Sequence, residues 1–281
     1  MTLRGTAGFP VSNREIPIGI FDSGIGGLTV LKQIFIQLPN ESTIYLGDTA
    51  RVPYGIRSPE TVTRYSFENT RFLVSKGIKL LVVACNTVSS VSLYAIQKAV
   101  SVPVVGVIEP GAKAAVTSTK NKKVGIIGTD ATIRSDSYTK AIKRIDSSVE
   151  VFGLSCPLFV PLVEEGWTEG EIVEMTAERY LKHMRDKDID TLVLGCTHYP
   201  LLKNVVSKIV GEKVRLIDSA IETAQEIKTI LENLSLIKHD SHEVIREFYV
   251  TDSADKFISV GERFLGRTIN YIQQIELDSE V

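Results

Sequence analysis

The sequence predicts an α/β protein built as two similar doubly wound parallel-sheet lobes related by a pseudo-two-fold axis, with the active site in the cleft between them. Three observations carry this. Short runs rich in Val, Ile and Leu alternate with helix-length segments, the pattern of βαβ units. The order of these runs repeats after roughly a hundred residues, which implies duplicated architecture. Two of the runs, LLVVAC at 80–85 and TLVLGC at 191–196, end in a cysteine followed by polar residues.

In chain order, strands are read over 17–21, 43–48, 79–85, 103–109, 123–129, 149–154, 191–196, 214–218 and 246–252. None alternates strictly between apolar and polar residues, as strands covered on both faces should not. Between them, SPETVTRYSFENTRFLVSK at 58–76 reads as a helix, with Pro59 and Glu60 in its first turn and an amphipathic spacing. The duplication pairs Ile18–Phe21 with Val124–Gly128, Thr43–Leu46 with Val149–Phe152, Leu80–Cys85 with Thr191–Cys196, and Pro103–Ile108 with Val214–Ile217. Open α/β sheets bind ligands at the carboxyl ends of their strands. Two lobes facing each other would therefore bring Cys85 and Cys196 to opposite sides of one cleft.

Composition narrows the function classes. The chain has 281 residues, 43% hydrophobic and 23% charged, with net charge −2 and scattered Lys and Arg. No basic stripe marks a nucleic-acid partner. The apolar runs are strand-sized, short of the ~20 residues that span a bilayer. The opening MTLRGTAGFPVSNRE lacks the apolar core of a signal peptide, so a cytoplasmic protein is expected. Cys85, Cys156 and Cys196 form neither a disulfide framework nor a metal knuckle. No metal is expected, and the cysteines are read as thiols.

Two facing thiols can do what one cannot. Inverting a carbon beside a carboxylate needs a base on one face and an acid on the other, and two cysteines can exchange those roles. A thiol has a reference pKa of ~8.5 that a helix N-terminus lowers, which predicts a thiolate at neutral pH. Asn86, Thr87, Thr197 and His198 are able to cap the following helices and to donate to a bound carboxylate, and His198 is placed to help Cys196 change protonation state. Plainer readings stand beside these. A lone buried cysteine is usually a small core residue, and Cys156 is read that way. Asp22 and Ser23 form a helix N-cap by default, Tyr54 and Gly55 a plain turn after Pro53, and DSGIGG does not fit GxGxxG.

The stretches IGIFDSGIGGLTVL, YLGDTARVPYGIRS, VVACNTVSS, VVGVIEPG, VGIIGTDATIRS and LVLGCTHYPLL resemble the cofactor-independent aspartate/glutamate racemase family, and within it the glutamate racemases. The likeness runs in order from Ile18 to Leu265; residues 1–17 form an N-terminal extension. It implies that Cys85 and Cys196 are the two acid/base residues, acting without a cofactor. Asp22 would assist Cys85. His198 and Glu164 would assist Cys196, with Glu165 adjacent as a rival to Glu164. Asp22, Ser23, Tyr54, Gly55, Asn86, Thr87, Thr129, Thr197 and His198 match substrate-contacting positions. The C-terminal segment would return to the first lobe, giving lobes of 18–110 plus 219–281 and 111–218. The implied reaction interconverts L- and D-glutamate and supplies D-glutamate for peptidoglycan, hence for cell-wall biogenesis and cell shape. An aspartate racemase is the alternative, since one methylene of pocket discriminates by only ~1–3 kcal/mol. Family members are often dimers, and some respond to a muramyl-nucleotide activator or bind DNA gyrase, so these are carried as partner expectations. A redox couple of Cys85 and Cys196 is disfavoured, because cysteines on opposite sides of a substrate sit beyond the ~7 Å that a disulfide spans.

Overall fold

Ten strands form two parallel sheets in the computed structural model, which describes residues 13–240 and 244–277. Most of the N-terminal extension, residues 1–12, lies outside the described residues. The strands are β1 (Ile18–Asp22), β2 (Thr43–Gly47), β3 (Leu80–Val83), β4 (Val104–Gly106), β5 (Lys123–Gly128), β6 (Glu150–Ser155), β7 (Thr191–Gly195), β8 (Arg215–Asp218), β9 (Arg246–Val250) and β10 (Ile272–Gln274). The first sheet runs β10-β9-β2-β1-β3-β4 and the second β6-β5-β7-β8. The inner order is the same in both: β2-β1-β3-β4 matches β6-β5-β7-β8, strand for strand with the duplication read from the sequence.

Two differences from the expected elements have local causes. The fourth strand stops at Gly106 and a helix, Ile108–Ser118, begins where VIE was read as strand. Pro110 falls in that helix's first turn, where its missing N–H leaves no bond unmade. β10 was not foreseen because IQQ carries one apolar residue and lies at the sheet edge, mostly exposed. The helix read over 58–76 spans Pro59–Ser75, and Ser58 accepts the Thr61 N–H at 3.3 Å as its cap.

The central strands are buried on both faces. Ile18, Ile20, Leu80 and Val82 belong to one cluster, Phe21, Leu81 and Val83 to another across the sheet. Each such side chain contributes ~1.5–3 kcal/mol by leaving water. In both sheets the central strand β1 or β5 has its earlier-paired neighbour on one side and its later one on the other. That is the topological switch point at which the connections diverge and open a crevice at the carboxyl ends. Asp22 ends β1 and Ser23 follows it, Cys85 follows β3, Thr129 follows β5 and Cys196 follows β7, so the switch points gather the predicted residues.

Candidate active site

The Cys85 side is built by β1 and β3. Register pairs Phe21 with Val83, so the chain leaving each strand delivers Asp22–Ser23 and Cys85 to one spot. The Cys85 sulfur lies 3.6 Å from the Ser23 hydroxyl, and the cysteine is only 6% exposed. Cys85 is itself the N-cap of the helix Asn86–Val91, and neither Asn86 nor Thr87 caps it with a side chain. Nor does Asp22 cap a helix, since the next one begins only at Leu28; its Oδ1 instead accepts the Gly24 N–H at 3.0 Å. The expected low thiol pKa is overturned here. Burial, reinforced by the Asp22 charge, pushes the Cys85 thiol up to about 12 against the pull of the Val88 N–H. Burial likewise holds the Asp22 carboxyl above its ordinary range, although His198 and the Gly24 and Gly27 N–H groups draw it down.

The Cys196 side has a longer relay. The Cys196 sulfur lies 3.9 Å from His198 Nδ1, and His198 Nε2 lies 3.0 Å from Glu164 Oε1. Glu164, and not its exposed neighbour Glu165, reaches the ring. Burial alone would lower the His198 pKa, but its bonds to Cys196 and Glu164 outweigh this and push it up to about 10. Glu164 is drawn below its usual range by His198 despite partial burial. The result is a sulfur, an imidazolium and a carboxylate in sequence, with the ring's two nitrogens committed at opposite ends.

Side chains meet across the cleft. The Thr87 and Thr129 hydroxyls are 3.0 Å apart, and Thr129 also caps the helix Asp130–Arg134. Gly55 faces the same threonine so closely that a Cβ there would fall 2.9 Å from it. Tyr138, which the sequence reading missed, donates its hydroxyl to Asn86 Oδ1 at 2.8 Å. Thr29, also missed, donates to the Thr197 carbonyl at 2.9 Å. Tyr54 does not join the group by its hydroxyl, which bonds Asp48 and accepts from Asn69 inside the first half. Two buried atoms at the centre lack partners within the protein, Asp22 Oδ2 and Asn86 Nδ2, one an acceptor and one a donor. A cavity of about 320 Å³ lies between Val52, Pro53, Gly55 and Ile56 on one side and Thr129, Asp130, Pro157, Val160, Pro161 and Glu164 on the other.

Cys156 sits apart from both arms. It is fully buried, its carbonyl accepts the Tyr199 hydroxyl at 2.8 Å, and burial raises its pKa, all consistent with a core cysteine. All three cysteines are free. Among the described residues no group of His, Cys, Asp and Glu is arranged to hold a metal, and no helix is long and apolar enough to cross a membrane.

Known proteins resemble this chain in sequence and in architecture. The family model for Asp/Glu/Hydantoin racemase matches residues 19–227. A glutamate racemase of Geobacter metallireducens is 57% identical over 263 residues, covering 94% of this chain and 97% of its own. The crystal structure of the glutamate racemase isoform RacE1 from Bacillus anthracis superposes with a TM-score of 0.91 at 43% identity, over 94% of this chain and 98% of that one. Escherichia coli glutamate racemase, solved with L-glutamate and the activator UDP-MurNAc-ala, superposes with a TM-score of 0.77 at 28% identity, over 93% and 99%. With near-complete coverage in both directions and the twin-sheet site in place, the chain belongs to the Asp/Glu/hydantoin racemase family, among its glutamate racemases, and is an amino-acid racemase.

Proposed function

We propose that the protein interconverts L- and D-glutamate by two-base proton transfer between Cys85 and Cys196, with no cofactor. One observation carries the reading: equivalent strands of duplicated sheets each lead into a cysteine, and each cysteine has its own charged partner, Asp22 on one side and His198–Glu164 on the other. In the unliganded protein Cys85 holds its proton, since its pKa is pushed up to about 12. Cys196, its sulfur 3.9 Å from His198 Nδ1, is its counterpart on the other face. One sulfur removes the α-proton, the other delivers a proton to the opposite face, and the C–H bond broken is replaced by one of inverted configuration.

The partnerless atoms suit an α-amino acid. Asp22 Oδ2 accepts from the substrate ammonium, while Asn86 Nδ2 and the hydroxyls of Thr87 and Thr197 donate to the α-carboxylate, where negative charge grows as the proton leaves. Ser23, Gly55 and Thr129 close around the same ligand, and Tyr54 shapes the turn that carries Gly55. Substrate entry has to separate the Thr87–Thr129 pair, and closure onto the substrate excludes water.

The lobes of this scheme are residues 18–110 with 219–281, and 111–218. D-glutamate made in the cytoplasm would feed peptidoglycan synthesis, and response to a muramyl nucleotide is proposed by likeness to the Escherichia coli enzyme. The test is incubation with L-glutamate or L-aspartate in D2O without additives, following the α-proton by NMR together with optical rotation. Exchange with racemisation of glutamate supports the reading. Exchange confined to aspartate would replace the substrate, and exchange of neither would remove the two-base chemistry.

A further inference from the structure

We propose that the helix Ala254–Leu265, which follows β9 of the first sheet, is a positioning clamp for the His198–Glu164 pair of the other half. The inference rests on the reading of Cys196 as one of the two acid/base residues. Three contacts from one helix converge on that pair. The Phe264 ring meets the His198 ring edge-on, with centroids 5.3 Å apart and planes at 85°. The Arg263 guanidinium donates to the Glu164 carbonyl at 2.9 Å. The Lys256 charge helps draw the Glu164 carboxyl down, and Lys256 and Glu164 line one small cavity with Gly24 and Phe257. Lys256 and Arg263 are two helical turns apart and so share a face.

Each contact removes a different freedom. An imidazole held by a hydrogen bond at either nitrogen can still rock about the line joining them, and the edge of Phe264, itself 1% exposed, closes that motion. A carboxylate can hold His198 in place only if its own backbone is fixed, and Arg263 fixes the Glu164 carbonyl. The loop has been shaped to the guanidinium: Gly166 has φ +82°, and a Cβ there would lie 1.8 Å from Arg263 Nη1. The helix is anchored on the first half. Thr251, at its approach, donates to Asp48 Oδ1 at 2.9 Å, and the helix packs on Leu28–Gln37. The first half thus supplies Cys85 directly and orients the partners of Cys196 from behind. The contacts of these three side chains at the site are to His198 and Glu164, and they act through that pair.

The discriminating readout is directional. In a two-base reaction, slowing proton transfer at one face raises the substrate α-deuterium isotope effect when that face's base removes the deuteron and lowers it in reverse. The variants are Arg263→Ala, an exposed site expected to fold, and Phe264→Leu, with Glu164→Gln as comparator. With α-deuterated L- and D-glutamate, both variants are expected to lose about 10-fold in kcat with little change in KM. Their isotope effects should move in opposite senses in the two directions, with the same sign pattern as Glu164→Gln. Arg263→Lys should restore part of the loss. Wild-type isotope effects in both directions would overturn the clamp, as would full activity in Arg263→Ala. If Phe264→Leu does not fold, Arg263→Ala decides. Failure of the wild type to racemise glutamate is a separate result, which removes the reading of the site and the clamp with it.

Discussion

The Tyr138 hydroxyl and Asn86 Oδ1 are joined by a 2.8 Å hydrogen bond between the two halves of the molecule. This bond uses the amide oxygen of Asn86 and leaves its Nδ2 as a buried, partnerless donor. Tyr138 thereby decides which end of Asn86 is offered to a ligand.

Tyr138→Phe removes that control. The stranded acceptor should destabilise the fold by ~1–3 kcal/mol, and the freed amide should raise KM for glutamate more than it lowers kcat. Thermal melts and steady-state kinetics check the two effects together. A variant with unchanged stability and unchanged KM would show that the bond has no role in presenting Asn86.

The His198–Glu164 pair ties stability to pH with a definite sign. His198 has a raised pKa, so its contribution is fully present below the ordinary 6.5 and is lost as pH rises through about 10. Glu164 has a lowered pKa, so its contribution is present above the ordinary 4.5 and is lost as pH falls through the depressed value. The melting-temperature gap between wild type and Glu164→Gln should therefore be widest at about pH 5.5 and shrink steadily towards pH 10. A gap that is constant over this range would show that the pair is not ionised in the folded protein.

Gly26 packs closely against Thr197 and His198. A Cβ there would lie 2.2 Å from Thr197 Oγ1 and 2.6 Å from the His198 ring. Gly26→Ala should force Thr197 and His198 away from the cleft and reduce kcat/KM by about 100-fold or more. Because the obstruction sits between the halves, unfolding should change less than activity. Near-normal turnover would mean that the site opens widely enough during the cycle to admit a methyl group.

Asp48 holds the turn that carries Tyr54 and Gly55. It is fully buried, and it accepts hydrogen bonds from Arg51 at 2.7 and 3.0 Å, from Thr251 at 2.9 Å and from the Tyr54 hydroxyl. Removing one partner of such a network strands the others. Asp48→Ala is expected to lose ~3 kcal/mol in denaturant titration, with Asp48→Asn retaining part of the loss. Equal stability of all three proteins would contradict the assigned role.

How much of this could be read from the sequence follows the range of the interactions. The inner strands were legible because both faces are buried, which forces runs such as LLVVAC and TLVLGC. Cys85, Cys196 and His198 were legible because each follows a strand at a switch point, so position along the chain implies position in the cleft, whereas Asp22, the last residue of β1, read as a helix cap and was placed beside Cys85 only by the family resemblance. Tyr138, Thr29, Phe264 and Arg263 were not, since each acts across the gap between halves and nothing in its local spacing records that contact. Asn86 and Thr87 looked like helix caps because residue type at a helix start suggests one. Their side chains are used across the cleft instead. The Cys85 pKa was misjudged for a related reason: a helix N-terminus shows in sequence, while burial beside Asp22 does not.

The most direct test of the account is racemisation by Cys85→Ser and Cys196→Ser, assayed with both enantiomers of glutamate by optical rotation, with Cys156→Ser as the control. Each of the first two should fall by about 1,000-fold or more while the control keeps its activity, because a hydroxyl cannot stand in for either thiol as acid and base. Wild-type turnover in Cys85→Ser or in Cys196→Ser would contradict the two-base assignment outright.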